Sequence, residues 1–210
     1  MAETLCGSYT VNSMARHDIS SHLIHFTRGD SCDEAFERLK TIIAERRLYG
    51  TATNIRGGYR CVCFSEAPLA SLDGGLVNER YYSSYSLFGV LVSKRWLFEL
   101  GGRPVIYETE EEYQSLPPSH KWRHVRYDIR EGKENIDFTW EREWRVRSDC
   151  LEISPGVASV VVPSSEWAQH LVRDHEEWED YRVRQYSVIM DTQLAEMYRE
   201  PFKWNLLTLK

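Results

Sequence analysis

An α+β fold is what the sequence predicts. Three observations carry this: many short strand-like runs, few helical runs standing apart from them, and no regular alternation of strand and helix that would build a doubly wound sheet. With 210 residues, 42% of them hydrophobic, the chain is long enough to bury a core. We expect one domain over residues 21–210, preceded by an arm over 1–20 whose sequence, MAETLCGSYTVNSMARHDIS, shows no sustained period.

Taken in order, HLIHFT from His22 is a short strand. A helix follows, where Ser31 and Glu34 have capping-box spacing, Phe36, Leu39 and Ile43 share a face, and Gly50 is the expected stop. The glycine-bearing loop TATNIRGGY leads to the strand RCVCF, and SEAPL turns the chain at Pro68. The polar, aromatic segment ASLDGGLVNERYYSSYS precedes a buried strand, LFGVLVS, and a short helix, KRWLFELGG. RPVIYE is a further strand, and EEEYQSLPPSHKWRHVRY a charged helix or excursion ending at Pro117 and Pro118. The strand DFTWEREWRVR comes next, then GVASVVVP, the most hydrophobic strand. The capped helix SSEWAQHLVRDHEEW and a last strand, YRVRQYSVIM, precede a polar tail.

The totals exclude several classes of function. A net charge of −6 leaves no global basic field to draw the protein onto nucleic acid, although a local groove is compatible with it. The five cysteines lack zinc-finger spacing and a secretory leader, so reduced thiols in a cytoplasmic protein are expected and no metal site. Cys61 and Cys63 would face the same side of their strand. No apolar run is long enough to span a membrane, so no membrane partner is expected.

In DFTWEREWRVR, strand periodicity puts Glu141, Glu143, Arg145 and Arg147 on one side and Arg142, Trp144 and Val146 on the other. The charged side is either a solvated ladder of ion pairs or the lining of a cleft. Three strands carry chemistry-capable residues near an end: His25 and Thr27, then Phe64, Ser65 and Glu66, then Glu141 or Glu143. FSEAP lacks the glycines of a nucleophile elbow, and neither GGYR nor LGGR is a phosphate-cradling loop. Serine-hydrolase chemistry and P-loop chemistry are therefore disfavoured.

At these residues the chain resembles the mono-ADP-ribosyltransferase superfamily, and within it the DarT-like toxins and AbiGi-type abortive-infection proteins. HFT at His25 to Thr27 is similar to the first-strand motif, VCFSEAPL at Val62 to Leu69 to the second-strand segment, and EWRV at Glu143 to Val146 to the strand of the catalytic glutamate. KRWLFELGGRPVIY resembles the segment that follows the tyrosine-rich loop of AbiGi-like proteins. The motifs cover about 25 residues of the chain, set in order along most of it. Phe64 and Ser65 stand where several transferase classes carry Tyr or Ser-Thr-Ser, so the E-x-E of Glu141 and Glu143 does not bring arginine specificity with it.

The resemblance implies a split β-sheet core with short flanking helices, NAD as co-substrate and a macromolecular acceptor, RNA or DNA by preference, in a bacterial toxin or antiphage effector. An antitoxin protein is an implied partner. A non-catalytic AbiGi-type binding module and an NAD glycohydrolase are the alternatives. Glu143, or else Glu141, would stabilise the positive charge that develops on the ribose as neutral nicotinamide leaves. Arg145 would clamp the glutamates, while Trp140 and Trp144 anchor the strand in the core. His25 would donate to an adenosine-ribose hydroxyl, with Thr27 in support and Ser65 beside it. Phe64 and one of Tyr81, Tyr82 and Tyr85 would stack on nicotinamide, and Arg60 or Arg56 would meet the pyrophosphate. The tyrosine-rich loop would grip an unstacked base of the acceptor.

Overall fold

The computed structural model describes residues 19–66, 85–132 and 135–209. The predicted arm, the turn at Pro68 and most of the tyrosine-rich loop lie outside them. The fold is α+β, built on a seven-stranded sheet that is antiparallel except at one edge. In chain order the strands are β1 (His22–Arg28), β2 (Arg47–Tyr49), β3 (Cys61–Ser65), β4 (Tyr85–Ser93), β5 (Arg103–Pro104), β6 (Ile106–Glu108), β7 (His124–Arg126), β8 (Glu143–Arg147), β9 (Cys150–Glu152), β10 (Ala158–Val162) and β11 (Asn205–Thr208). The main sheet runs β11-β10-β4-β1-β3-β8-β5, while β2 pairs with β9 and β6 with β7.

Helix α1 (Cys32–Glu45) starts where Ser31 accepts a hydrogen bond from the Glu34 N–H at 3.1 Å. The Glu34 carboxylate reaches back to the Asp30 N–H at 2.9 Å, one residue earlier than the predicted capping box. Gly50 is not the stop. The helix ends at Arg46, which takes a left-handed conformation at φ 55°, and residues 47–49 leave as β2 to pair with β9. Two short helices follow, α2 (Lys94–Glu99) and α3 (Glu110–Tyr113), and then α4 (Ser165–Tyr186) and α5 (Thr192–Glu196).

Three expectations are corrected here. YRVRQYSVIM is no strand: α4 runs on through Tyr186, because Glu179 and Val183, four apart, turn to the buried side together. The last strand is instead β11, parallel to β10 at the sheet edge, in the region expected to be a polar tail. At 22 residues, α4 is also far from a short flanking helix.

One sheet face is the core. Leu23, Val62, Phe64, Phe88, Val90, Trp144, Val146 and Val160 alternate onto it and pack under α1 and α4 through Phe36, Leu39 and Leu171. Gly89 in β4 is required by close approach, since a Cβ there would stand 2.5 Å from the His25 carbonyl oxygen. The opposite face carries Cys61, Cys63, Ser65, Glu143 and Arg145 through the β3–β8 register, which sets Ser65 opposite Glu143 and Cys63 opposite Arg145.

The sheet parts in its middle. β1 pairs with β4 over most of its length, with a register shift between Phe26 and Arg28, yet meets β3 at a single register pair, Ile24 opposite Ser65. From there the two strands diverge.

Candidate functional site

A cavity of about 930 Å³ opens where β1 and β3 part. Because strand separation exposes both faces, His25, Thr27 and Phe64 from the core side meet Ser65, Glu141 and Glu143 from the other along one lining. The size suits a ligand of drug or cofactor dimensions.

His25 fills the parting. Its Nδ1 lies 2.8 Å from the Cys63 carbonyl oxygen, so Nδ1 carries the proton and donates. Burial holds the ring below its ordinary pKa; the Cys63 carbonyl opposes this and Arg28 adds to it. A neutral ring protonated on Nδ1 presents Nε2 as an acceptor. The expected donation to a ribose hydroxyl is thereby reversed, and the hydroxyl would donate to His25. Thr27, buried, spends its hydroxyl on the Phe88 carbonyl at 3.2 Å and braces the shifted register beside His25.

Glu143 opens β8 after a left-handed turn at Arg142, φ 45°, which follows a 3-10 turn over Thr139–Glu141. Glu141 and Glu143 are therefore not on one strand face, although both line the cavity. The turn is held from β3: Ser65 Oγ donates to the Glu141 carbonyl at 2.7 Å and the Glu66 N–H to the Arg142 carbonyl at 3.2 Å. Ser65 thus positions the carboxylate strand. Tyr107 Oη accepts from the Glu143 N–H at 3.1 Å.

Arg145 is the clamp that the sequence suggests. Its side chain is buried at 5% exposure and Glu143 is at 13%; Nε meets Oε1 at 2.8 Å and Nη2 meets Oε2 at 3.1 Å. Nη1 donates to the carbonyls of Trp122 at 3.1 Å and His124 at 2.9 Å, tying β8 to the far wall. Burial would lower the guanidinium's pKa, but the Glu143 carboxylate outweighs it and the net direction is upward. Cys63 sits behind the pair, its thiol pushed far up by burial and by the Glu143 charge, which makes it a poor nucleophile.

Other expected residues fall elsewhere. Phe64 is buried at 2% exposure, packed with Val62 and Trp144, and turns an edge to the His25 ring at 5.7 Å, so it is a back wall and not an open stacking platform. Arg60 is not among the lining residues: it donates to the Gly50 carbonyl at 2.6 Å and pairs with Asp149 at 2.9 Å. Arg56 does line the cavity, paired with Glu110 and set over the Tyr113 ring. Tyr81 and Tyr82 lie outside the described residues, and Tyr85 begins β4. Trp144 anchors the core, whereas Trp140 lines the cavity with Phe138, and its buried Nε1–H finds no acceptor among the described residues.

No protein-family model, curated protein or solved structure matches the chain.

The residues missed from sequence are basic and aromatic. Arg28, Arg38 and Arg126 line the cavity beside Arg56, and His124 stands on the far wall with its pKa lowered by burial. Arg28 directly follows HFT, and Arg38 shares a helix face with Ile42; adjacency and i,i+4 spacing were the available signals. Three further arginines are already engaged. Arg145 is spent on Glu143, Arg130 is held by Asp128 and Glu111, and Arg123 donates to the Pro104 carbonyl.

Proposed function

We propose that the protein is an NAD-consuming ADP-ribosyltransferase with a macromolecular acceptor, nucleic acid by preference, acting as a toxin or antiphage effector. The observation that carries this reading is the convergence of His25, Thr27, Ser65 and Glu143 on one cavity at the parting of β1 and β3. The lining suits an anionic dinucleotide. Arg28, Arg38, Arg56 and Arg126 line the cavity, Arg38 paired with Glu34 and Arg56 with Glu110, so a pyrophosphate would share those two cations with carboxylates; Phe138 and Trp140 offer rings, and the Trp140 N–H is a donor awaiting an acceptor.

In this reading His25 Nε2 accepts from a ribose hydroxyl and orients the sugar. Glu143 faces the carbon whose bond to nicotinamide breaks; the bonding pair leaves with nicotinamide, and the carboxylate stabilises the positive charge left on the ribose. The acceptor's lone pair then forms the new bond at that carbon, and its proton passes to solvent.

One observation favours a second reading, a non-catalytic binding module: Arg145 engages both oxygens of Glu143, which weakens the field the carboxylate can project into the cavity. Incubating the protein with NAD labelled in its adenine, alone and with RNA, DNA or cell lysate, separates the outcomes. Label transferred to nucleic acid supports the proposal, free ADP-ribose alone indicates a glycohydrolase, and binding without turnover indicates the module.

A further inference from the structure

We infer that the α4–α5 hairpin is a docking surface for a basic amphipathic helix of a protein partner. Among the described residues, thirteen large hydrophobic side chains are exposed, and seven of them fall within residues 178–198. That concentration is too high for scattered surface apolar residues. Trp178 and Tyr181 lie three apart on one edge of α4, their rings stacked at 5.6 Å, and Val188 and Ile189 follow in the turn just past its end, 80% and 78% exposed. Leu194 on α5 and Met197 and Tyr198 in the turn that closes it are three and four apart and all exposed, while Ala195 turns inward.

The two stripes belong to one rigid platform. Arg182 donates to the Tyr198 carbonyl at 3.2 Å, and the Tyr186 ring meets the Tyr198 ring at 5.7 Å. Glu179, buried at 2% exposure, accepts from Arg182 at 2.9 Å and from the Glu200 N–H at 2.9 Å, which closes the hairpin's interior polar network. Beside Trp178 a cleft of about 360 Å³ reaches down to Phe202 and Trp204, deep enough for one apolar anchor.

Charge selects the occupant. Residues 165–200 hold nine carboxylates and four arginines, in a chain whose net charge is −6. Arg182 and Arg199 are already paired with Glu179, Asp180 and Glu196, whereas Glu176 and Glu177, exposed and adjacent to Trp178, enter no ion pair among the described residues. A second copy of this chain would bring the same acidic field against itself. A helix with apolar residues on one face and Lys or Arg on the other satisfies both the stripe and the charge.

The test is selection from a displayed library of helical peptides of about 18 residues, randomised without charge bias, against the full chain. The selected peptides should carry a basic face and an aromatic or aliphatic face. Their affinity should fall about tenfold or more on Trp178→Ala and on Met197→Glu, the latter at a site 81% exposed and so without cost to folding. Glu177→Lys should weaken them, and Glu152→Lys, an equal charge change at an 80% exposed side chain on β9, should not. Selection of peptides without a basic face, indifference to Trp178 and Met197, or equal effects of the two lysine substitutions would overturn the inference. So would concentration-dependent dimerisation abolished by Met197→Glu, which would make the face a self-interface.

Discussion

Arg145→Met is the most informative single substitution, because it separates what the clamp does for the fold from what Glu143 does for chemistry. Arg145 is 4% exposed, and its guanidinium makes hydrogen bonds to both Glu143 oxygens and to the Trp122 and His124 carbonyls. Methionine fills most of the volume but leaves a carboxylate and two carbonyls without their donors. Breaking a buried pair from one side costs about 3 to 5 kcal/mol. For a domain of this size that lowers Tm by about 6 to 20 °C, since each kcal/mol is worth about 2 to 4 °C. Urea unfolding reads the loss as a lower midpoint at unchanged slope. Replacing both partners, Glu143→Leu with Arg145→Met, should recover most of that loss, because no uncompensated charge then remains. A loss below about 1 kcal/mol for Arg145→Met, or a double variant that shows the full sum of the two single losses, would refute the reasoning.

Three further outcomes are expected. Glu143→Gln should lower NAD cleavage about a hundred- to thousandfold with the far-ultraviolet dichroism unchanged, and Glu141→Gln should lower it less; activity within about threefold of wild type for Glu143→Gln would remove the catalytic assignment. His25 is held below its ordinary pKa by burial, so the unfolded chain binds its proton first: this contribution is complete above about pH 6.5 and is lost as pH falls from there towards the lowered folded value. The slope of unfolding free energy against pH in that window should shrink in His25→Gln, the remainder coming from His124; an unchanged slope would mean that the fold does not lower the His25 pKa. Gly89→Ala should destabilise by about 1 to 3 kcal/mol in the same urea assay, since its Cβ would meet the His25 carbonyl at 2.5 Å, and a neutral result would mean that β1 and β4 can move apart freely.

What was legible in the sequence was what local chemistry decides. Ser31 marks the start of α1, the alternation in CVCFS marks β3, and the apolar run in LFGVLVS marks the core of β4, each through contacts within a few residues. The misses come from distant pairing. Arg46 ends α1 early because residues 47–49 are claimed by β9, about a hundred residues away, and nothing in ERRLYG signals that. Tyr181 to Met190 alternates well enough to pass for a strand, but the place beside β10 is taken by Asn205–Thr208 and α4 keeps its buried side through Val183.

The site divides along the same line. That His25, Ser65 and Glu143 would meet was readable as an order of motifs along the chain; that Phe64 would be sealed in was readable too, since period 2 places it with Val62 on the helix-covered face while Cys63 and Ser65 turn away. The geometry at Glu141 was not readable. A strand drawn through DFTWEREWRVR puts both glutamates on one side, where their charges would repel. The chain avoids this with one left-handed residue, Arg142, which converts the segment into a 3-10 turn and a five-residue strand. The conformation costs about 1 to 2 kcal/mol for a residue with a Cβ, and the hydrogen bonds from Ser65 and Glu66 to the carbonyls on either side of it offset that cost. The turn takes Glu141 off the strand, leaves Glu143 to Arg145, and still puts both residues on the cavity lining. Ser65→Ala therefore acts on both glutamates at once, through the backbone that carries them.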